Sequence, residues 1–300
     1  MHTQLKITPR NLGLILLGTF CPKCFWFLLR LRFKPPFNKG GGAIFSSMQA
    51  IQEAVLGNFL AQNGCLPEEF HPFTDITERV QCSKHWRNFG YEHESGVWLY
   101  GMPDEVVRRK NGKICIIDHK TAVNKGTNDP FYPIYQTQII GYSMIAERGL
   151  NLGQASNPGL FYWQIDHKSV IEKPSNFYKN KQVWPGFSVK PLEVKLDYEV
   201  LEPLLETAIE LWESSQPPDG REACPDCEQL AKLMALEDEL VAADNAFMQR
   251  VSMAAPMCNS VFNRTQDRKW KWRSALQQIQ MNDLQPIEFS PDGMFSSWED

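Results

Sequence analysis

Apolar and polar positions follow two different periods along this chain, and the changes of period mark its elements. In Gly101 to Ala122, GMPDEVVRRKNGKICIIDHKTA, two short apolar runs flank Asn111-Gly112. Asn-Gly between β-prone runs predicts a hairpin. Residues 97 to 101 are expected to begin the strand that carries Asp104. A helical period appears from about Ser46 to Ala61, with Met48, Ile51, Val55, Phe59 and Leu60 as its apolar stripe. A second helix is predicted from about Pro133 to Arg148, stopping at Gly149. The β-prone run Gly159 to Asp166, GLFYWQID, predicts another central strand in the same sheet. Val170 to Lys195 reads as loop-rich, with a turn at Trp184-Pro185-Gly186. Asp197 to Ser214 is amphipathic, with Leu201, Leu204, Leu205, Ala208, Leu211 and Trp212 on one stripe. A further helix is predicted from about Glu228 to Met248.

The hairpin loop decides which side chains share a face. A two-residue Asn-Gly loop puts Glu105 opposite Asp118. A three-residue loop, Lys110-Asn111-Gly112 with Gly112 left-handed, puts Asp104 opposite Asp118 instead. Opposed residues point the same way, with Cβ atoms roughly 4.5–5.5 Å apart. Lys120 lies two residues beyond Asp118 and so falls on the same side, while His119 points away. We favour the three-residue loop because it gathers Asp104, Asp118 and Lys120. Two acids could hold one Mg²⁺ or Mn²⁺ ion, which polarises a phosphate and activates water. A lysine beside them can position that water or offset developing charge.

Charge and composition narrow the classes. The chain has 300 residues, a net charge of −4 and a pI of about 5.9, so no global basic signature marks it. A nucleic-acid partner would need a local basic groove. The run at residues 12–20, LGLILLGTF, is too short to span a bilayer. Thr8-Pro9 before it predicts a helix start, with Thr8 as N-cap and Pro9 at the first helical position. A cytoplasmic protein without a membrane partner is expected. His85, Arg87, His93 and Lys125 are weaker candidates for substrate contact. Arg264 to Arg273, RTQDRKWKWR, is a basic and aromatic patch, and residues 281–300 read as an acidic tail.

Eight cysteines are too few for a disulfide scaffold of this length. Two pairs have C-x-x-C spacing, Cys21/Cys24 and Cys224/Cys227, and two hundred residues separate them. If the fold brings them together, four thiolates would accept Zn²⁺ or an iron–sulfur cluster and clamp the two ends of a domain.

Gly101-Met102-Pro103-Asp104 followed by Asp118-His119-Lys120 resembles the PD-(D/E)XK nuclease superfamily. Gln138-Ile139-Ile140-Gly141-Tyr142 resembles the Gln-X-X-X-Tyr motif of its RecB-like exonuclease branch. Gln138 and Tyr142 are four apart and share a helical face. The opening, Thr8-Pro9 and then Cys21-Pro22-Lys23-Cys24-Phe25-Trp26, is similar to the start of RecB-like nucleases. The resemblance covers about residues 8 to 230. It implies an α/β, restriction-endonuclease-like core with a mixed central sheet flanked by helices. It further implies a metal-dependent deoxyribonuclease, acting as an exonuclease in DNA repair, recombination or defence. Asp104 and Asp118 would be metal ligands, with Glu53 from the first core helix joining them. Lys120, Gln138 and Tyr142 would complete the catalytic set. Some nucleases of this branch, including those of CRISPR adaptation, carry a [4Fe–4S] cluster on one N-terminal and three C-terminal cysteines. The two-and-two arrangement here departs from that pattern and leaves the cluster type open, with Zn²⁺ or no metal as the alternatives.

The nuclease domain is expected to span residues 1–250, with 251–300 as an extension. No G-x-x-x-x-G-K-[ST] run is present, so an unwinding or recombination partner would be a separate chain. The rival reading is a non-catalytic DNA-binding or assembly module on the same fold. An unrelated cysteine-clamped scaffold would leave Asp104, Asp118 and Lys120 apart in space.

Overall fold

The computed structural model describes residues 4–34, 43–82, 85, 88–184 and 186–254. The chain divides into two units, Met1–Glu228 and Gln229–Asp300. Arg87, the 264–273 patch and the 281–300 tail lie outside the described residues.

Strand β1 (Lys6–Ile7) runs into α1 (Pro9–Leu12). Thr8 caps that helix by accepting the Asn11 N–H at 3.2 Å, and Pro9 occupies its first turn. A 3₁₀ turn at Gly13–Leu16 precedes α2 (Pro22–Arg30). Helix α3 (Ala43–Asn63) leads to β2 (Ile76–Arg79). Strands β3 (Gly90–Glu92) and β4 (Trp98–Tyr100) come before the hairpin of β5 (Glu105–Arg109) and β6 (Ile114–Lys120). Helix α4 (Tyr132–Met144) ends in a π turn at Ile145–Gly149. Strand β7 (Gly159–Ile165), short helix α5 (His167–Glu172) and the small β8 (Tyr178–Lys179)/β9 (Gln182–Val183) hairpin follow. Strand β10 (Phe187–Glu193), α6 (Glu202–Glu213) and α7 (Pro225–Ala254) follow among the described residues.

The central sheet has five strands in the order β10-β7-β6-β5-β2. Among its described strands, β6 and β7 pair in parallel and the other neighbours pair antiparallel, so the sheet is mixed. Strand alternation divides its side chains between two cores. Val106, Ile114, Ile116, Leu160 and Tyr162 pack with Ile139, Ile140 and Met144 of α4 and Leu204, Leu205 and Ala208 of α6. Val107, Cys115, Ile117, Phe161 and Trp163 pack on the other face with Leu56 and Leu60 of α3 and with Phe70 and Phe73. This is the α/β, restriction-endonuclease-like arrangement expected of the sequence, a mixed sheet flanked by helices.

Three details differ from the sequence expectations. Trp98–Tyr100 does not continue into the strand after Asp104; it pairs in a separate three-stranded sheet, β1-β4-β3. Pro103 has no N–H to donate to a ladder, so pairing breaks between Tyr100 and Glu105. The buried positions of α3 include Met48, Gln52, Leu56 and Leu60, while Ile51 is 49% exposed. Gln52 turns inward because its amide donates to Thr121 Oγ1 at 3.0 Å. Finally, Phe187–Glu193 is a full strand inside the stretch read as loop-rich. Its Pro191 is accommodated because β10 lies at the sheet edge.

Candidate active site

The hairpin register is the first determinant of the site. Glu105 pairs with Ile117 and Arg108 with Ile114. The Arg109 N–H donates to the Lys113 carbonyl at 2.9 Å, which leaves Lys110-Asn111-Gly112 as the loop, with Gly112 at φ +79°. This is the three-residue loop, and continuing its register sets Asp104 opposite Asp118. Asp104 stands one residue before the paired part of β5. Its Oδ2 accepts the backbone N–H of His119 at 2.7 Å, which brings the carboxylate to the peptide that follows Asp118.

Asp118 and Lys120 occupy the face of β6 covered by α4. Lys120 Nζ lies 2.5 Å from Asp118 Oδ2. Gln138 of α4 spans both, its Nε2 donating to Asp118 Oδ1 at 2.9 Å and its Oε1 accepting from Lys120 at 3.1 Å. Asp118, Gln138 and Tyr142 are all buried. The Tyr142 phenol is shifted upward, first by burial and then by the charge of Asp118; contacts with the Met102 backbone and the Gln138 side chain act in the opposite direction. Tyr142 also lies directly over Gly101, where a Cβ would overlap its ring. The Gly101 position therefore requires glycine for close approach rather than for an unusual φ.

Tyr135 joins the group without having been singled out from the sequence. Its ring centroid is 4.2 Å from Lys120 Nζ, a cation–π contact. The available signal was its position three residues before Gln138 and seven before Tyr142, which places all three on one helical face. His119 faces the opposite core, as alternation requires. Its Nδ1 accepts the Trp163 indole N–H at 3.1 Å, and its ring meets Phe161 and Trp163 edge-on.

Glu53 is placed differently from its expected role as a third ligand. Its Oε1 accepts from Gln49 at 3.1 Å and its Oε2 lies 3.9 Å from Arg79. Arg79 in turn makes a two-pronged contact with buried Glu105, at 2.6 and 2.8 Å. Glu105 follows Asp104 by one residue and so points to the other face, toward α3. Among the described residues, Glu53, Asp104 and Asp118 do not form a three-ligand cluster. Lys125 is exposed in the loop after β6. His93 is buried and held by Ser95 Oγ at 2.9 Å and Glu202 Oε1 at 3.3 Å.

The two cysteine pairs meet. Cys21 caps α2 and Cys24 lies in its first turn; Cys224 and Cys227 stand in the same relation to α7. Cys21 and Cys227 Sγ are 3.5 Å apart, Cys24 and Cys227 3.4 Å, and Cys24 and Cys224 3.7 Å. All four sulfurs lie within 4.8 Å of one another. Burial acts to raise the Cys21 thiol, but the backbone N–H groups of Cys24 and Arg221 and the neighbouring sulfurs outweigh it and hold the thiol at about 6. Burial and the hydrogen bonds to the other sulfurs push Cys24 upward.

A family model for the PD-(D/E)XK nuclease superfamily matches residues 65–231. No curated protein matches the chain. Among solved structures, the crystal structure of SSO0001 is similar over 73% of this chain and 81% of that one, at 16% identity and a TM-score of 0.32. No described helix is long and apolar enough to cross a membrane. The match takes in the hairpin, α4 and the second cysteine pair, and the chain belongs to the PD-(D/E)XK nuclease superfamily.

Proposed function

We propose that this chain hydrolyses phosphodiester bonds of DNA, with Mg²⁺ or Mn²⁺ as its cofactor and Asp104 and Asp118 as the residues that hold it. The observation that carries the reading is the bridge made by Gln138 between Asp118 and Lys120. It ties the carboxylate and the ammonium of the motif to one helix, which gives a reacting centre the fixed geometry it needs.

The residues fit a hard cation. Two carboxylates from adjoining strand positions offer oxygen donors only, which suits Mg²⁺ or Mn²⁺. The Lys120 ammonium already sits against Asp118 Oδ2, so this carboxylate is disposed to accept positive charge. When bound, the ion would polarise the scissile phosphate and lower the pKa of a water. Lys120 is placed to hold the attacking water or stabilise negative charge on the phosphoryl oxygens. Gln138 orients the Asp118 carboxylate, and the buried Tyr142 phenol supports Gln138 and fixes the Met102 backbone. Glu53 acts through Arg79 and Glu105 in this reading, as support for the strand that follows Asp104.

Exonucleolytic action on DNA ends in repair, recombination or defence fits this set of residues. A separate helicase or recombination protein would supply unwound strands. The test is cleavage of end-labelled single- and double-stranded DNA with Mg²⁺, Mn²⁺ or EDTA, with Lys120→Ala as the control. Metal-dependent cleavage absent from the control supports the proposal. Tight DNA binding without cleavage in the intact protein, under all metal conditions, would replace it with the binding-module reading.

A further inference from the structure

The resemblance to iron–sulfur nucleases raises a specific expectation for Cys21, Cys24, Cys224 and Cys227, and the sulfur geometry disagrees with it. In a four-iron cluster each thiolate binds a different iron on the outside of a cubane, which holds the four sulfurs well apart. Here three of the sulfur pairs are 3.4–3.7 Å apart. These distances leave no room for an iron–sulfide core between the thiols. They are also far longer than a disulfide bond of about 2.05 Å. For a single tetrahedral ion with Zn–S bonds of about 2.3 Å, neighbouring sulfurs lie about 3.8 Å apart. We infer that the four cysteines hold one Zn²⁺ ion as a closed structural site.

The backbone around the cysteines supports a single small ion. Each pair is a Cys-Pro-X-Cys turn that opens a helix, with proline at the first helical position. Each helix start contributes one cysteine just before the helix and one in its first turn, and the four sulfurs lie within 4.8 Å of one another. The Arg221 N–H donates to Cys21 Sγ at 3.2 Å, the kind of outer contact that orients a thiolate ligand. Ala223, just before the second pair, takes φ +51°, a left-handed conformation that alanine rarely adopts. Gly220 lies so close to Cys227 that a Cβ would come within 2.9 Å of its Sγ. A strained backbone position and a glycine packed against a ligand sulfur are constraints expected of a site of fixed size.

The consequence is topological. Zinc would join α2, near the start of the chain, to the start of α7, about two hundred residues later. Four thiols lose their protons to solvent on binding, and the ion takes four thiolate ligands with none left open for catalysis. The site is thus independent of Asp104 and Asp118.

The test is elemental analysis of the full chain, purified without air from cells supplied with both iron and zinc. The expected result is about one zinc per chain, no acid-labile sulfide and negligible iron. Substitution with Co²⁺ should give the visible ligand-field absorption of a tetrahedral four-thiolate centre. Cys227→Ser should lose the zinc, while Cys65→Ser and Asp118→Asn should retain it. Iron and sulfide in cluster stoichiometry would overturn the inference, as would a folded, metal-free chain in which Cys21, Cys24, Cys224 and Cys227 are titratable along with the other four of its eight cysteines. These measurements need no nuclease activity, so failure of the catalytic reading would leave them intact.

Discussion

Gln138 Nε2 donates to Asp118 Oδ1 at 2.9 Å across the interface between α4 and β6. The same amide's oxygen accepts from Lys120, so one neutral side chain fixes both charged groups. Asp118 and Gln138 are both buried, where an amide bridging a carboxylate and an ammonium leaves little freedom for either.

Truncating that bridge should impair the site without unfolding the protein. Removing an outer-shell partner of a metal ligand typically costs about 10–100-fold in metal affinity or activity. Gln138→Ala is expected to fall in that range. A titration of cleavage against Mg²⁺ concentration checks it: the midpoint should move to higher metal with the circular-dichroism spectrum unchanged. An unaltered midpoint and rate would remove Gln138 from the site.

Asp118→Asn keeps the shape of the side chain but removes the charge that the proposed metal site would use. Several kcal/mol of transition-state stabilisation depend on such a ligand, which corresponds to a loss of roughly 10²–10³-fold or more in cleavage rate. The variant should remain folded, because the asparagine can still accept from Gln138. Wild-type cleavage by this variant would sink the catalytic assignment.

Gly101 is constrained by a neighbour rather than by its own dihedral. Gly101→Ala would drive a methyl into the Tyr142 ring. Forcing atoms into a packed site costs about 1–3 kcal/mol. Urea unfolding should show that loss, and pairing the change with a smaller residue at position 142 should recover part of it.

Arg79 and Glu105 form a charge pair in which the carboxylate is buried and the guanidinium is about one-third exposed. Breaking a buried pair by removing one partner costs roughly 3–5 kcal/mol. Arg79→Met should approach the lower end of that range because Arg79 retains some contact with water. Arg79→Met with Glu105→Gln together should be less damaging than the single change, read by the same unfolding curve.

Cys115 predicts a specific alkaline behaviour. Burial pushes its thiol from 9.0 up to about 12, with the charge of Arg109 acting the other way. The folded state therefore keeps a proton that the unfolded chain releases. Its contribution to stability is full below pH 9, and stability falls as pH rises from 9 toward 12. Cys115→Ala should flatten that slope in a pH series of unfolding midpoints.

Much of the site could be read from the chain because short spacings carry it. Asn111-Gly112 determined a hairpin, and alternation along ICIIDHK determined that Asp118 and Lys120 share a face while His119 does not. The spacing of Gln138 and Tyr142 placed both on one side of a helix. These are local rules, with periods of two and 3.6 residues set by backbone geometry. Tertiary structure decided the rest. Whether Glu53 reached the acids depended on the rotation of α3 against the sheet, and inward-facing Gln52, tied to Thr121, is part of the packing that directs Glu53 to Arg79 instead. Strand β10 was hidden by Pro191 and became a strand only because an edge position was available beside β7. The meeting of Cys21 and Cys24 with Cys224 and Cys227 rests on contacts across two hundred residues. No local period encodes such contacts; they follow from the way α2 and the start of α7 are brought together by the fold.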